Sequence, residues 1–294
     1  MHNQASTFNA KSNVKAADRE HRRKINFNMA RYNSVVPQGK TQFTDVHKAR
    51  ERAKNIKWRA IETLDKHLEM FEANISRRGA KVLWAETGDE ALEQILKICQ
   101  AKSCTTLVKS KSMATEEIHL NSFLEKHGIE SVETDLGEYI QQLDGEPPYH
   151  IVTPAMHKSK EDVAKLFADK LGTKPNLTPS ELTLVARQKL REKYVQAQVG
   201  VTGANFIIAD VGGIAVTENE GNGRLSAGWP KTHIVVVGIE KVIPSLTDLD
   251  LFWPLLSTYG TGQKITSYNT VITGPRQKGE VDGPEEMYVI LLDN

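Results

Sequence analysis

The stretch Thr106-Leu-Val-Lys109-Ser110-Lys111-Ser112-Met-Ala-Thr115-Glu-Glu-Ile118 decides how this chain is read. A short β-branched, apolar run passes directly into two lysines and two serines, and a helix begins at once. Strand, tight turn and helix in that order form the unit from which parallel sheets are built. The same order brings cations, hydroxyls and free helix N-terminal amides to the carboxyl end of a strand. A negatively charged group is the natural guest there. The plainer alternative is a solvated turn whose serines only cap the helix.

Working outward, strands and helices keep alternating. Residues 81–84 read as a strand, and Thr87-Gly-Asp-Glu90 is a capping box that opens a helix through Cys99. A helix over 115–127 is stopped by Gly128, and a strand over 129–133 ends in the acids Glu133, Asp135 and Glu138. Residues 150–153 read as a strand closed by Pro154. Helices start at Ser159 and at Thr178-Pro179-Ser-Glu181. Residues 205–211 and 214–218, joined by Gly212-Gly213, read as a β-hairpin. His233-Ile-Val-Val-Val-Gly238 is a buried strand, Ser245 opens another helix, and 269–273 and 287–292 are the last strands. The expected fold is α/β, a mainly parallel sheet flanked by helices, with an antiparallel excursion in the second half.

Ahead of this core, Val46, Ala49, Ala53, Ile56, Ala60, Leu64, Leu68 and Phe71 step by three and four. That pattern predicts one long amphipathic helix over residues 45–78, packed on a core domain of residues 79–294. Residues 1–44 are polar, asparagine-rich and without period, so a basic, largely irregular arm is expected there. Residues 1–60 carry 14 Lys/Arg against 4 Asp/Glu, although the whole chain of 294 residues has a net charge of +1. The arm lacks the interleaved aromatics of a single-strand binder and any helix-turn-helix pattern, which argues against nucleic acid and for an acidic partner. No apolar run approaches the roughly 18 to 20 residues of a membrane span. The N-terminus has no apolar signal region, so a reduced, cytoplasmic setting is expected. The two cysteines, Cys99 and Cys104, match neither a zinc site nor a thioredoxin-like motif.

Four polar clusters lie at expected strand ends. The first is Lys109, Ser110, Lys111 and Ser112. The second is Glu133, Asp135 and Glu138, which can bind a metal, act as acid or base, or pair with those lysines. The third is Thr202-Gly203-Ala-Asn205, where a hydroxyl, free amides and a carboxamide sit on backbone that a ligand can approach. The fourth is Glu218-Asn219-Glu220-Gly221-Asn222-Gly223-Arg224. There a carboxylate can serve as nucleophile or base and Arg224 as anion clamp, or the residues form only a polar hairpin tip. His157 flanks a strand end and is a candidate ligand contact. No histidine spacing supports a metal site, and no dinucleotide or phosphate-loop fingerprint occurs.

Taken in order, Val108-Lys-Ser-Lys-Ser-Met-Ala-Thr-Glu-Glu-Ile-His-Leu-Asn121, Val132-Glu-Thr-Asp-Leu-Gly-Glu-Tyr-Ile-Gln-Gln-Leu143 and His150-Ile-Val-Thr-Pro-Ala-Met-His-Lys158 resemble successive motifs of the lactate utilization protein B family. So do Val201-Thr-Gly-Ala-Asn-Phe206, Asn219-Glu-Gly-Asn-Gly-Arg-Leu225, Thr273-Gly-Pro-Arg276 and Leu291-Leu-Asp-Asn294, and the likeness covers about residues 45 to 294. The resemblance implies a LUD domain with a fold similar to NagB, RpiA and the CoA transferases. It also implies a role in oxidising L-lactate to pyruvate beside sister lactate-utilization proteins. It further implies electron transfer through 4Fe–4S clusters held by two cysteine-rich motifs downstream of the LUD domain. Two cysteines cannot hold such a cluster, which needs four thiolates. No cofactor is therefore expected within this chain, and its own part would be to bind a partner or a small anion such as lactate, phosphate or a CoA-like ligand. The competing expectation is a self-sufficient enzyme like a CoA transferase or a sugar-phosphate isomerase. Related transferases use the glutamate of a Glu-Asn-Gly turn as nucleophile, and Glu218-Asn219-Glu220-Gly221 is similar to that turn with an extra acid inserted.

Overall fold

The run Thr232–Gly238 (THIVVVG) is buried along nearly its whole length, so it sits where both faces are covered. Its side chains alternate. Ile234 and Val236 enter one hydrophobic cluster, Val235 and Val237 another on the opposite face. In the computed structural model, which describes residues 2–293, this strand lies inside a six-stranded parallel sheet. Met1 and Asn294, the last residue of the final family-like motif, lie outside the described residues.

In chain order the elements begin with α1 His2–Ala17, α2 Arg19–Lys40, α3 Val46–Glu62 and α4 Leu64–Ser76. The core follows with β1 Lys81–Ala85, α5 Gly88–Ala101, β2 Thr106–Lys109, α6 Met113–Glu117, α7 Leu120–Lys126, β3 Glu130–Glu133 and α8 Leu136–Asp144. Then come α9 Lys160–Leu171, α10 Pro179–Gln196, β4 Val199–Thr202, β5 Phe206–Ile208, β6 Gly213–Glu218, α11 Asn222–Gly228 and β7 Thr232–Gly238. The chain closes with β8 Val242–Ile243, α12 Leu249–Thr261, β9 Tyr268–Ile272 and β10 Glu286–Leu292. The large sheet has the order β1-β10-β7-β4-β2-β3, and every pairing in it is parallel. Helices α5 and α7 cover one face. The other face is covered by α4 and the smaller sheet near β7 and β10, and by α8, α9 and α10 near β2 and β3. The expected hairpin is present as β5 against β6, and it belongs to a second sheet of order β8-β5-β6-β9. That sheet buries Phe71 and Ile75 of α4 beneath Ile207 and Ile214.

Four expectations need correction. The irregular arm is helical: α1 and α2 account for residues 2–40. Asp18 caps α2 through the His21 amide, and the helix docks by polar ties rather than an apolar stripe. Asn28 donates to the Met156 carbonyl at 2.8 Å, Tyr32 donates to the Tyr259 carbonyl, and Lys24 pairs with Asp162 at 2.5 Å. Only Val36 and Gly39 of α2 are buried, so a search for hydrophobic period finds little. The long amphipathic helix is two helices that break at Thr63, whose hydroxyl turns back to the Arg59 carbonyl at 3.0 Å. The helix expected over 115–127 breaks at His119, which adopts a left-handed conformation, φ 57°. Residues 150–153 form an irregular, bent run, not a strand. Pro147, Pro148 and Pro154 carry no amide donor, and Tyr149 N–H instead closes a turn on the Pro154 carbonyl at 2.9 Å.

Gly200 of β4 shows how tightly the layers meet, because an added Cβ would lie 1.8 Å from the Ser226 carbonyl oxygen of α11. Backbone cannot yield as a flexible side chain would. Gly200→Ala is therefore expected to destabilise the chain by about 3 kcal/mol or more. Denaturant unfolding measures this, and a loss below about 1 kcal/mol would contradict the packing.

Candidate functional site

The carboxyl ends of β2, β4 and β7 open on a cleft of about 510 Å³ between the two sheets. Ser110, Lys111 and Ser112 line it from the β2–α6 turn, Gly203 and Asn205 from the β4–β5 connection, and Glu218, Asn222 and Gly223 from the end of β6 and the start of α11. Apolar side chains including Phe206, Val236, Phe252 and Leu256 complete the wall. Strand ends in a parallel α/β sheet are where such clefts form, because the connections diverge there.

The β2–α6 turn has the local structure its sequence demands. Ser112 caps α6 by accepting from Thr115 N–H. Gly203 makes room for it, since a Cβ there would meet Ser112 Oγ at 2.6 Å. Lys111 reaches the Asp135 carboxylate at 2.8 Å while about a third of its side chain stays exposed to the cleft. Burial works against its charge, but Asp135, with Glu220 and Glu138, outweighs burial and holds its pKa above the ordinary lysine value. Asp135 in turn caps α8, accepting from Gly137 N–H at 2.9 Å and Glu138 N–H at 3.2 Å.

Lys109 is different. Its side chain is wholly buried, and its three donors reach Glu133 Oε1 at 2.7 Å, Glu116 Oε1 at 3.0 Å and Thr115 Oγ1 at 3.1 Å. Asn121 adds a 2.6 Å bond to the same Glu133 oxygen. Glu133 Oε2 and both oxygens of Glu138 are buried without such a partner. Burial first, and the Glu133 charge second, push the Glu138 carboxyl up to about 9. At neutral pH Glu138 is therefore held toward the carboxylic acid, whose proton is a donor the neighbouring Glu133 carboxylate can accept. Carboxylate oxygens of Glu116, Glu133 and Glu138 lie within 4.8 Å of one another, a spacing a metal ion can use. Lys109 already provides the positive charge at Glu116 and Glu133.

The remaining sequence candidates divide clearly. Glu218 accepts from Gly223 N–H at 2.7 Å and Arg224 N–H at 2.8 Å, so it holds the N-terminus of α11 while bordering the cleft. Turned so that both ends of its amide are satisfied, Asn222 donates to Glu218 at 2.9 Å and accepts from Asp135 N–H at 3.2 Å. Asn205 accepts from Thr217 N–H at 2.8 Å and fixes the β5–β6 hairpin. Several candidates do not line the cleft. Lys109 and Glu133 are sealed in the charge cluster. Asp135 is buried as a helix cap. Thr202 is buried against His233 at 2.9 Å, and burial lowers the pKa of His233 to about 3. Glu220 accepts from Leu136 N–H at 3.3 Å, and burial, then the Asp135 charge, raise its pKa. Arg224 is exposed over the Tyr268 ring, 5.5 Å from its centroid. His157 pairs with Glu146 at 3.0 Å beside His21 and Tyr149. The list of candidate site residues also missed cleft residues, although Glu240 and Lys241 end the family-like motif His233-Ile-Val-Val-Val-Gly-Ile-Glu-Lys241. Lys57 of α3 and Phe252 and Leu256 of α12 arrive from segments whose local pattern reads only as amphipathic helix.

Cys99 and Cys104 are both buried free thiols, and they do not fit a 4Fe–4S cluster, which needs four ligands and access to a cavity. No helix among the described residues is long and apolar enough to cross a membrane.

The charge cluster gives a pH signature. Glu138 titrates near 4.5 when unfolded and near 9 when folded, so between these values the native chain holds a proton that the unfolded chain releases. Stability from this group is complete below the unfolded value and is lost as pH rises toward 9. Glu138→Gln cannot titrate. It is expected to gain stability relative to the parent by up to about 1.4 kcal/mol per pH unit as pH rises through that window. Urea unfolding at several pH values checks this, and a gap independent of pH would contradict the proton held on Glu138.

Residues 68–292 match the family model described as LUD domain. Lactate utilization protein B of Bacillus velezensis is 46% identical over 246 residues, covering 83% of this chain and 52% of that protein. The protein of the same name from Bacillus subtilis strain 168 is also 46% identical, over 83% of this chain and 51% of its own length. Uncharacterized electron transport protein YkgF of Escherichia coli K12 is 42% identical over 245 residues, with 83% and 52% covered. The chain thus spans about half the length of the curated relatives it matches. A solved structure of a DUF162 family protein from Deinococcus radiodurans covers 78% of this chain at 16% identity, with a TM-score of 0.45. With its match running from α4 through β10, the chain belongs to the LUD domain family.

Proposed function

We propose that this chain is the recognition domain of a lactate-utilization system, binding a small anion or a partner's anionic group in the strand-end cleft. Electron transfer, in this reading, uses iron–sulfur clusters held outside these 294 residues and works together with sister proteins. Three facts support it. Relatives at 46% identity carry the name lactate utilization protein B, and another carries the name of an electron transport protein. The chain's two thiols cannot hold a cluster. The observation that carries most weight is Lys111, a cation fixed by Asp135 yet open to the cleft, flanked by the Ser110 and Ser112 hydroxyls.

A covalent transferase mechanism through Glu218 has less support. Both carboxylate oxygens of Glu218 accept backbone amides at the α11 N-terminus, which stabilises the anion and lowers its nucleophilicity. Incubation with acyl-CoA and hydroxylamine, read by mass spectrometry, tests that alternative.

Lys111→Met is expected to weaken binding of L-lactate or inorganic phosphate about tenfold in calorimetric titrations. Its stability should fall by only about 1–2 kcal/mol, because Asp135 keeps two amide donors. Unchanged anion affinity, with stability lost instead, would make the Lys111–Asp135 pair purely structural.

A further inference from the structure

The cleft contains a second cation, from outside the family-like motifs at strand ends. Lys57 projects from α3 into the lining, where its Nζ donates to the Glu240 carbonyl and, at 2.9 Å, to the Val242 carbonyl. These two bonds fix the ammonium without neutralising it, and they leave one donor over. Among the described residues no carboxylate forms an ion pair with Lys57. Glu240 directs its own carboxylate to Lys241 at 3.2 Å. Lys111, by contrast, already has Asp135. A bound anion therefore gains more at Lys57 than at Lys111, because it supplies the counter-charge that the fold leaves out.

Size and polarity of the cleft narrow the guest. A volume of about 510 Å³ falls in the range of drug-sized ligands, and lactate alone would leave most of it to water. Phe206, Val216, Val236, Val237, Phe252 and Leu256 offer contact for an apolar body. We infer that Lys57 is the anion anchor of the cleft, and that its guest is a carboxylate or phosphate ester carried on an apolar body larger than lactate. This inference rests on the cleft being a ligand site.

The surroundings of Lys57 give the inference a distinctive readout. Burial lowers its pKa to about 8, with Glu240 opposing the shift and Lys241 adding to it. From the other cleft walls the charged groups are Glu218 and Lys111, and α12 contributes the apolar Phe252 and Leu256. A lysine with that pKa loses its charge as pH rises above 8, and an anion held by it dissociates in step.

The test uses octanoate and octyl phosphate, with L-lactate and inorganic phosphate as the same head groups without the body. Titration calorimetry on the whole chain is expected to show the octyl compounds binding about tenfold tighter than their heads, with affinity falling above pH 8. Comparing octanoate with octyl phosphate tells which head group is preferred. Lys57→Met should weaken binding about tenfold or more. Lys57→Arg, which stays charged, should keep the affinity and remove the fall with pH. Undiminished binding by Lys57→Met, or the same pH fall in Lys57→Arg, overturns the assignment of Lys57. Lactate binding as tightly as octanoate overturns the larger guest. If Lys111→Met loses binding while Lys57→Met does not, the cleft stands and the anchor falls. If the parent chain binds none of the four probes, both readings fall.

Discussion

A wholly buried ammonium governs the strand-end architecture. Lys109 ends β2 inside the protein, where an unpaired charge would cost several kcal/mol, so neighbouring elements must bring it oxygens. Glu133 comes from β3, Glu116 and Thr115 from α6, and Glu138 adds a protonated carboxyl from α8. Satisfying one lysine thus sets the positions of β3, α6 and α8 relative to β2. Once Lys109 is fixed, the next residues have little freedom. Ser110 and Lys111 emerge at the cleft and Ser112 becomes a helix cap, with Gly203 making room for it. The two lysines of one short motif therefore do different work. The inner one organises the fold, and the outer one faces the cleft.

Parts of this were legible in the sequence because they rest on local rules. The β7 run is apolar on both faces and was readable as a central strand. The capping box at Thr178 and the hairpin around Gly212 carry their own turn chemistry. The pairing of lysines with Glu133 and Asp135 follows from the need of buried acids for cations. Other features depend on contacts distant in sequence and left no periodic trace. Helix α2 is held by side-chain hydrogen bonds to α12 and to the turn region around Met156. Lys57 looks like any charged position on an amphipathic helix until α3 is seen to pass over the turn after β7. Glu220 and Arg224 belong to a polar run whose residues look alike in sequence, yet Glu218, Asn222 and Gly223 line the cleft while Glu220 and Arg224 do not.

The arrangement also bears on how the proposed system divides its work. The cleft combines fixed cations, hydroxyls and an apolar wall, which serve recognition. Of the carboxylates that line it, Glu218 is occupied at the α11 N-terminus and Glu240 is paired with Lys241, and two buried thiols fall short of the four a cluster needs. On this proposal the LUD domain selects and holds, and electron transfer takes place outside these 294 residues.

An NMR titration of the isotopically labelled chain with octanoate tests the central claim most directly. The account requires the backbone amides of residues 110–112, 203–205 and 218–223 to shift together along one saturable curve. Shifts confined to the basic helices before residue 41, or no saturable shift at the strand ends, would contradict it.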